Sequence, residues 1–512
     1  MLADKHDPAG LLTSADVAQI RSRGLEPAHT AYQVEILQGQ RKSVPILRPA
    51  TINDGIQQLQ AFDPAVLCGF HEKAAAAGRI SSFIPASGSG TRLFHSLLQL
   101  YRDRETGFDR IRWRASRGDA VAQDALVVLE NIKDFAIVEE LRERGCSLGS
   151  IEQILGTLFE DEGLRYHELP KGLVPFHRYD DGVRTAFAEH VREAAALTTD
   201  RQKNCRIHFT VTPSHKLRFE NEWRRERPKF ERALGARFHI DFSVQSSATD
   251  TIAIDLHGNV RRDSSGQIVF QPGGHGALLE NLARSRGDVV LIKNIDNVAR
   301  QEQSSKIVKI RKQICGLLLL IEAQVHEAIR NLRKGQDARE ALQLLDWQFG
   351  RRMPAPLPDE DARRDNAIAQ LNRPIRVCGV VGSLDHAGGR PFWVDVENQG
   401  PMLQIIESAE VDLTDPEERS LFFQSRHFNP VDIACSLRDV DGHPFDLNLF
   451  TTPSRAIIAK KVVAGVPSLL YEHPGLWNGA MALWNTVFVE IPDFAFNPVK
   501  SLSDLWAPGH RR

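Results

Sequence analysis

The 512-residue sequence lacks most of the marks that would assign it quickly. Its six cysteines (Cys68, Cys146, Cys205, Cys315, Cys378, Cys435) form no Cys-x-x-Cys pair, which argues against a zinc knuckle or a disulfide framework and for reduced, buried thiols. There is no excess of either charge. A net charge of −2 recommends neither nucleic acid nor an acidic membrane as a partner. Arg224, Arg225 and Arg227 cluster, but Glu226 sits among them, as on a solvated helix face. No apolar run is long enough to span a bilayer, and the longest, around Leu317 and Ile321, reads as buried helix. Residues 1–19 carry early acids and no apolar core, unlike a secretory signal, so cytoplasmic residence is the expectation. The histidines His208, His215, His275 and His427 lack His-Glu-x-x-His spacing, and no serine or cysteine has the motif partners of a nucleophile.

What is present begins at residues 82–94, where the apolar run of Phe83 and Ile84 breaks into Ser87-Gly88-Ser89-Gly90-Thr91-Arg92. The pattern predicts strand, tight loop and then a helix over 93–101. Glycines in such a loop let backbone amides approach an anion, the following helix points its positive end there, and Arg92 adds a fixed charge. The dinucleotide fingerprint fails because Leu93 stands where a third glycine is needed. The P-loop fails because Arg92 follows Thr91 where Gly-Lys-Ser/Thr is required, and the Gly-x-Ser-x-Gly elbow has no match.

Four further stretches carry chemistry. Lys171 lies in an apolar, proline-flanked loop with Pro170 and Pro175, where a solvent-facing lysine is the plain alternative to a phosphate ligand. Gly273, Gly274, His275 and Gly276 make a loop that suits either a flat or sugar-like ligand or a surface turn. Residues 288–296 predict a strand whose carboxyl end carries Asn294, Asp296 and Asn297. An aspartate there suits Mg²⁺, or it caps the next helix. Asp439-Val440-Asp441 has the form of a metal motif, but Gly442 and Pro444 follow directly and a hairpin turn explains it better.

In order, residues 87–92, 272–276, 294–297 and 496–505 resemble the UDP-sugar pyrophosphorylases. The last stretch, Phe496-Asn497-Pro498-Val499-Lys500-Ser501-Leu502-Ser503-Asp504-Leu505, is the most specific, because that family's lysine at this place contacts the reacting phosphate. The whole chain is also similar to a bacterial nucleotidyltransferase-like family, a domain of unknown function, through phrases such as Arg373-Pro374-Ile375-Arg376 and Gly475-Leu476-Trp477-Asn478. The loop departs from the usual Gly-Gly-x-Gly, and a long insertion separates it from Lys171.

The resemblance implies an α/β fold, with a glycosyltransferase-A-like, Rossmann-related mixed sheet. It implies a reaction joining a nucleoside triphosphate, with UTP favoured, to a sugar 1-phosphate. A glycosyltransferase using a nucleotide-sugar, or a sugar-nucleotide-binding regulator, are the alternatives. Carried over residue by residue, it gives Arg92, Lys171 and Lys500 catalytic roles and Asp296 the Mg²⁺. Ser87, Gly88, Ser89, Gly90, Thr91, Gln245, Gly273 and Gly274 would hold nucleotide, and His275, Gly276, Glu407 and Asn478 the sugar. Nucleic acid and membrane are not expected partners. Length and pattern divide the chain into a helical lead-in (1–80), a core (81–350) with a helical insertion at about 95–166, a linker (351–371) and a smaller α/β portion (372–512).

Overall fold

The computed structural model describes residues 12–40, 43–351, 357–382, 388–397 and 399–511, so parts of the expected lead-in and of the expected linker lie outside the described residues. The chain forms two compact units, each discontinuous in sequence. One comprises Met1–Phe70, Gln245–Val290 and Ile314–Ile491, and the other His71–Val244, Leu291–Gln313 and Pro492–Arg512. These cut across the contiguous segments expected from composition, because the C-terminal segment is part of the second unit's core.

In the second unit, the strand Ile80–Pro85 is flanked by Asn204–Thr210 on one side and, on the other, by the strand Val289–Lys293, of which Leu291–Lys293 belongs to this unit, with Arg237–Ser243 beyond Asn204–Thr210. Ile80–Pro85, Asn204–Thr210 and Arg237–Ser243 are parallel, so their carboxyl ends share one edge, where open α/β sheets bind ligands. Ile80, Phe83 and Ile84 are buried, as a central strand of apolar residues requires. The expected insertion is helical: His95–Arg102, Phe108–Ser116, Ala120–Glu130, Val138–Glu143 and Ile151–Phe159. Its apolar faces join one core with Ile295, Val499, Leu502 and Leu505.

The first unit holds a mixed run of strands in the order Thr51–Ile52, Gly55–Gln58, Asn485–Glu490, Ile375–Gly382, Asp432–Ser436. Ile375–Gly382 pairs parallel with Asn485–Glu490 and antiparallel with Asp432–Ser436. The fold is therefore α/β, as expected. The lead-in is largely helical, in Ser14–Ser22, Pro27–Glu35 and Pro64–Ala76, and three short strands, Ile46–Pro49, Thr51–Ile52 and Gly55–Gln58, interrupt it. Thr13 caps the first helix, in a reciprocal box with Asp16. The expected linker contains a helix, Glu360–Leu371, capped by Asp359. Trp477 and Trp484 are buried, in turns. Among the described residues no helix is long and apolar enough to cross a membrane.

Beneath the edge of the second unit's sheet lies a buried ionic group. Lys293 donates to both oxygens of Glu193, at 3.1 and 2.9 Å, and Arg311 pairs with the same carboxylate. Burial alone would raise the Glu193 carboxyl, but Lys293 and Arg311 outweigh it and hold the group down to about 2. Next to it, burial pushes His190 down to about 4, and His71 likewise to about 4. A histidine neutral in the fold contributes stability above pH 6.5 that is lost as pH falls toward 4, because only the unfolded chain then takes up the proton. Each should cost about 2 kcal/mol between pH 7 and pH 5. Urea denaturation at the two pH values should show that loss, and His190→Gln should flatten the slope; an equal slope in the variant would assign the acid limb elsewhere.

Candidate active site

The glycine loop leaves the carboxyl end of Ile80–Pro85, where Ala86 still donates to Thr210 O at 2.8 Å. It is closed by the segment carrying Lys171: Gly90 N donates to Leu169 O at 2.7 Å and Lys171 N to Gly88 O at 3.0 Å, while the Thr91 hydroxyl donates to His167 O at 2.9 Å. The helix starts at His95, two residues later than expected, after a turn through Thr91 and Phe94. The amides of Ser87, Gly88, Ser89, Thr91 and Arg92 donate to no protein acceptor among the described residues. Ser87, Gly88, Ser89, Thr91 and Arg92 are exposed.

The two glycines differ physically. A Cβ on Gly90 would lie 2.7 Å from Leu169 O and 2.8 Å from Tyr166 O, whereas one on Gly88 would meet nothing within 4 Å. Gly90→Ala should therefore destabilise the unit by about 1–3 kcal/mol through overpacking. Gly88→Ala should leave stability within about 0.5 kcal/mol but weaken binding of inorganic triphosphate, read by calorimetry. Unchanged binding would mean that the open side of Gly88 is not the anion face.

Lys171 starts a single helical turn, Lys171–Leu173, and is buried, against the expectation for a loop lysine. Its Nζ donates to Val499 O at 2.7 Å and to Asp296 Oδ2 at 3.2 Å. Lys500 Nζ donates to the same Oδ2 at 2.9 Å and stays 63 % exposed. Burial pushes the Lys171 ammonium down, and Asp296 only partly restores it. Burial would raise the Asp296 carboxyl, but the two lysines outweigh it and hold the group below the usual carboxylate range. Two ammonium groups on one carboxylate oxygen, beside a loop of free amides, form an arrangement that attracts anions, although Asp504 nearby offsets part of the positive charge.

Asp296 lies in a turn beyond Val289–Lys293 and caps no helix, since the next begins at Gln301; the capping alternative is removed. His190 Nε2 holds Ile295 O at 3.2 Å, and Val499 N donates to Asp296 O at 2.9 Å. Asn297, which sequence reasoning flagged without a role, accepts from Asn497 N at 3.0 Å and pairs its backbone with Pro498. Asp504 Oδ2 accepts from the amides of Lys500 and Ser501, at 2.6 and 2.9 Å. These bonds aim Lys500, and Asp504 was visible in the motif as the acid four residues after the lysine.

Magnesium takes six oxygens and usually enters on substrate phosphates with one or two carboxylates. Here Oδ2 of Asp296 is shared by two lysines, and Oδ1 has no partner among the described residues. The free oxygen fits an ion carried in on a polyphosphate, not one resident in a protein cage. Asp439, Asp441 and His443 lie close together, but on the tight turn expected there, with Asp441 paired to Arg333 at 2.8 Å.

Arg92 makes no ion pair among the described residues. The remaining predicted residues belong to the first unit. Gly273, Gly274 and Gly276 are packed on their own chain: Cβ atoms there would meet His473 at 2.4 Å, Glu472 at 2.7 Å and Pro474 O at 2.0 Å. Close approach of the chain to itself accounts for these glycines. His275 accepts from Leu476 N at 3.1 Å with its ring centre 4.7 Å from that of Trp477. Asn478 is buried and donates to Glu410 Oε2 at 2.8 Å, and Glu407 N donates to the same oxygen at 2.9 Å. Gln245 Nε2 is buried without a partner among the described residues. Gly276 lines a cavity of about 450 Å³ with Tyr32, Glu280, Tyr471 and His473. A cavity of about 440 Å³ in the second unit is lined by Phe135, His177, Arg300, Trp506 and His510, and Lys171 and Asp296 are not part of its wall.

A family model described as "Domain of unknown function (DUF4301)" matches residues 13–511. No curated protein matches the sequence. Among solved structures, the chain is similar to the UDP-glucose pyrophosphorylase from Leishmania major, at 13% identity and TM-score 0.45, over 97% of this chain and 79% of that one. It is also similar to the uridine diphosphate N-acetylglucosamine pyrophosphorylase from Trypanosoma brucei, at 14% identity and TM-score 0.44, over 96% of this chain and 77% of that one.

Proposed function

We propose, from the premise that the chain belongs to the DUF4301 family, that it is a nucleotidyltransferase joining a nucleoside triphosphate, UTP by preference, to a sugar 1-phosphate. The observation that carries the reading is the meeting of Lys171 and Lys500 on one oxygen of Asp296, at 3.2 and 2.9 Å, beside a glycine loop with free amides. The motif of residues 496–505 supports it independently of that geometry.

An oxygen of the sugar phosphate attacks the α-phosphorus in line, a new P–O bond forms, and the bond to pyrophosphate breaks. The nucleophile is already an anion, so no base is required. The protein's work is to hold two polyanions together and to offset charge that grows in the transition state. Amides of Ser87, Gly88, Ser89 and Thr91 cradle the triphosphate, Arg92 and Lys171 neutralise its outer phosphates, and Lys500 clamps the phosphate at the reacting centre. Asp296 holds both lysines, and its free Oδ1 would be the protein ligand of Mg²⁺, which would supply further neutralisation of phosphate charge. Lys171 is poor at changing place, being buried and bonded to Val499 O. Lys500, largely exposed, is free to move from Asp296 to substrate.

The test is to incubate the protein with each nucleoside triphosphate, Mg²⁺ and a panel of sugar 1-phosphates, and to follow pyrophosphate. Release that requires both substrates is the expected result. Absence of release with every pair would overturn the reading. Release of free nucleoside diphosphate from a nucleotide-sugar in the presence of an acceptor would replace it with glycosyl transfer.

A further inference from the structure

The helical insertion contributes a carboxylate to the site's framework. Asp124, on the helix Ala120–Glu130, accepts one hydroxyl on each oxygen: Ser96 donates to Oδ2 and Ser503 to Oδ1. Ser96 lies in the first turn of the helix that follows the glycine loop, and Ser503 lies in the turn that follows Lys500. A carboxylate only accepts, so Ser503 must be the donor to Asp124, which leaves its oxygen to accept from Ser501, 2.9 Å away. The direction of this chain is thus set by Asp124. The same turn is fixed by Asp504, which takes the amides of Lys500 and Ser501, and by Leu93 O, which accepts from Leu502 N at 2.9 Å.

Asp124 makes no ion pair among the described residues, although it is part-buried. Holding a part-buried carboxylate with hydroxyls alone is an expensive way to join two segments that apolar contacts already join, since Leu93, Leu97, Leu502 and Leu505 share one core. What apolar contacts do not do is fix a direction. Hydroxyl-to-carboxylate bonds are short and directional, and they lock the rotation of the Lys500 turn relative to the glycine-loop helix.

We infer that Asp124 is a positioning residue for Lys500, so that the insertion, far from the motifs in sequence, sets the reach of the reactive lysine. The kinetic consequence rests on the proposed function; the structural one does not. The experiment uses the full chain with Asp124→Ala, Asp124→Asn, Ser503→Ala and the Asp124→Ala/Ser503→Ala double variant. Hydrogen exchange is read at the amides of Lys500 and Ser501, with the strand Asn204–Thr210 as internal control. Pyrophosphate release is measured alongside.

Asp124→Ala is expected to speed exchange at the two amides by about 10-fold or more, with the control strand within about twofold. It is also expected to lower kcat by about 10- to 100-fold, the scale of a displaced catalytic group, with KM for the triphosphate within about threefold. Ser503→Ala should act in the same sense, and the double variant should lose little more than Asp124→Ala alone, as for residues in one network. Asp124→Asn, which can accept from Ser503 and donate to Ser96, should recover most of both readouts. Unchanged exchange at residues 500 and 501 in Ser503→Ala, a mild variant that keeps the fold, would overturn the inference. If the wild-type chain releases no pyrophosphate, the proposed function fails and exchange alone decides the role of Asp124.

Discussion

Asp296→Asn is expected to lower pyrophosphate release by about 100- to 1,000-fold, the usual cost of removing a preorganised charge from a reacting centre. The substitution keeps shape and removes charge. Lys171 and Lys500 then face each other across a neutral amide, with Lys171 buried and already pushed toward its neutral form. Breaking a buried pair by deleting one partner costs about 3–5 kcal/mol, because the other charge is left uncompensated. Stability should therefore fall as well, and urea denaturation would measure it. Adding Lys171→Met to Asp296→Asn removes the stranded charge and should recover much of the stability with none of the turnover. That separation distinguishes a catalytic centre from a structural ion pair. Turnover near the wild-type value in Asp296→Asn would take the carboxylate out of the mechanism.

Lys500→Ala should cost as much activity and almost no stability. The side chain is 63 % exposed, and ion pairs of that kind contribute about 0–1 kcal/mol. The turn that carries it is held by Asp504, Leu93 O and Asp124, none of which needs the ammonium group. A drop of about 100-fold or more in kcat with an unchanged denaturation midpoint is the expected result, by the same electrostatic argument. Lys500→Arg should recover part of it, since a planar guanidinium keeps the charge but not the compact point donor. A variant lacking the ammonium group that turns over within about threefold of wild type would leave only Arg92 and Lys171 as the site's cations and take Lys500 out of the mechanism.

Much of this was legible in the sequence for local reasons. Apolar runs around Phe83 and Leu291 give strands because Ile80–Pro85 and Val289–Lys293 are buried along nearly their whole length and must be largely apolar. The loop at residues 87–92, the turn at Asp439 and Asp441, and the box of Ser501 and Asp504 are short-range patterns in which side chain and backbone meet within a few residues. Other contacts were not legible in the sequence for equally physical reasons. The glycines at 273–276 advertise close approach, but composition cannot say whether a ligand or the chain's own Glu472 and Pro474 comes close. Asn478 could be named from a motif, yet its burial against Glu410 depends on a segment nearly seventy residues away.

By itself, the sequence determined an α/β protein, a strand-loop-helix start, a helical insertion and the residue types an anion site requires, because each of these is written in spacing a few residues long. The tertiary structure alone decided that Lys171, Asp296 and Lys500 share one oxygen, that Lys171 is buried, and that Asp124 ties the insertion to the Lys500 turn. Those contacts join residues more than a hundred positions apart. A single core containing Leu97, Ile295, Val499 and Leu502 brings them together, and no local pattern encodes which distant charges will meet above it.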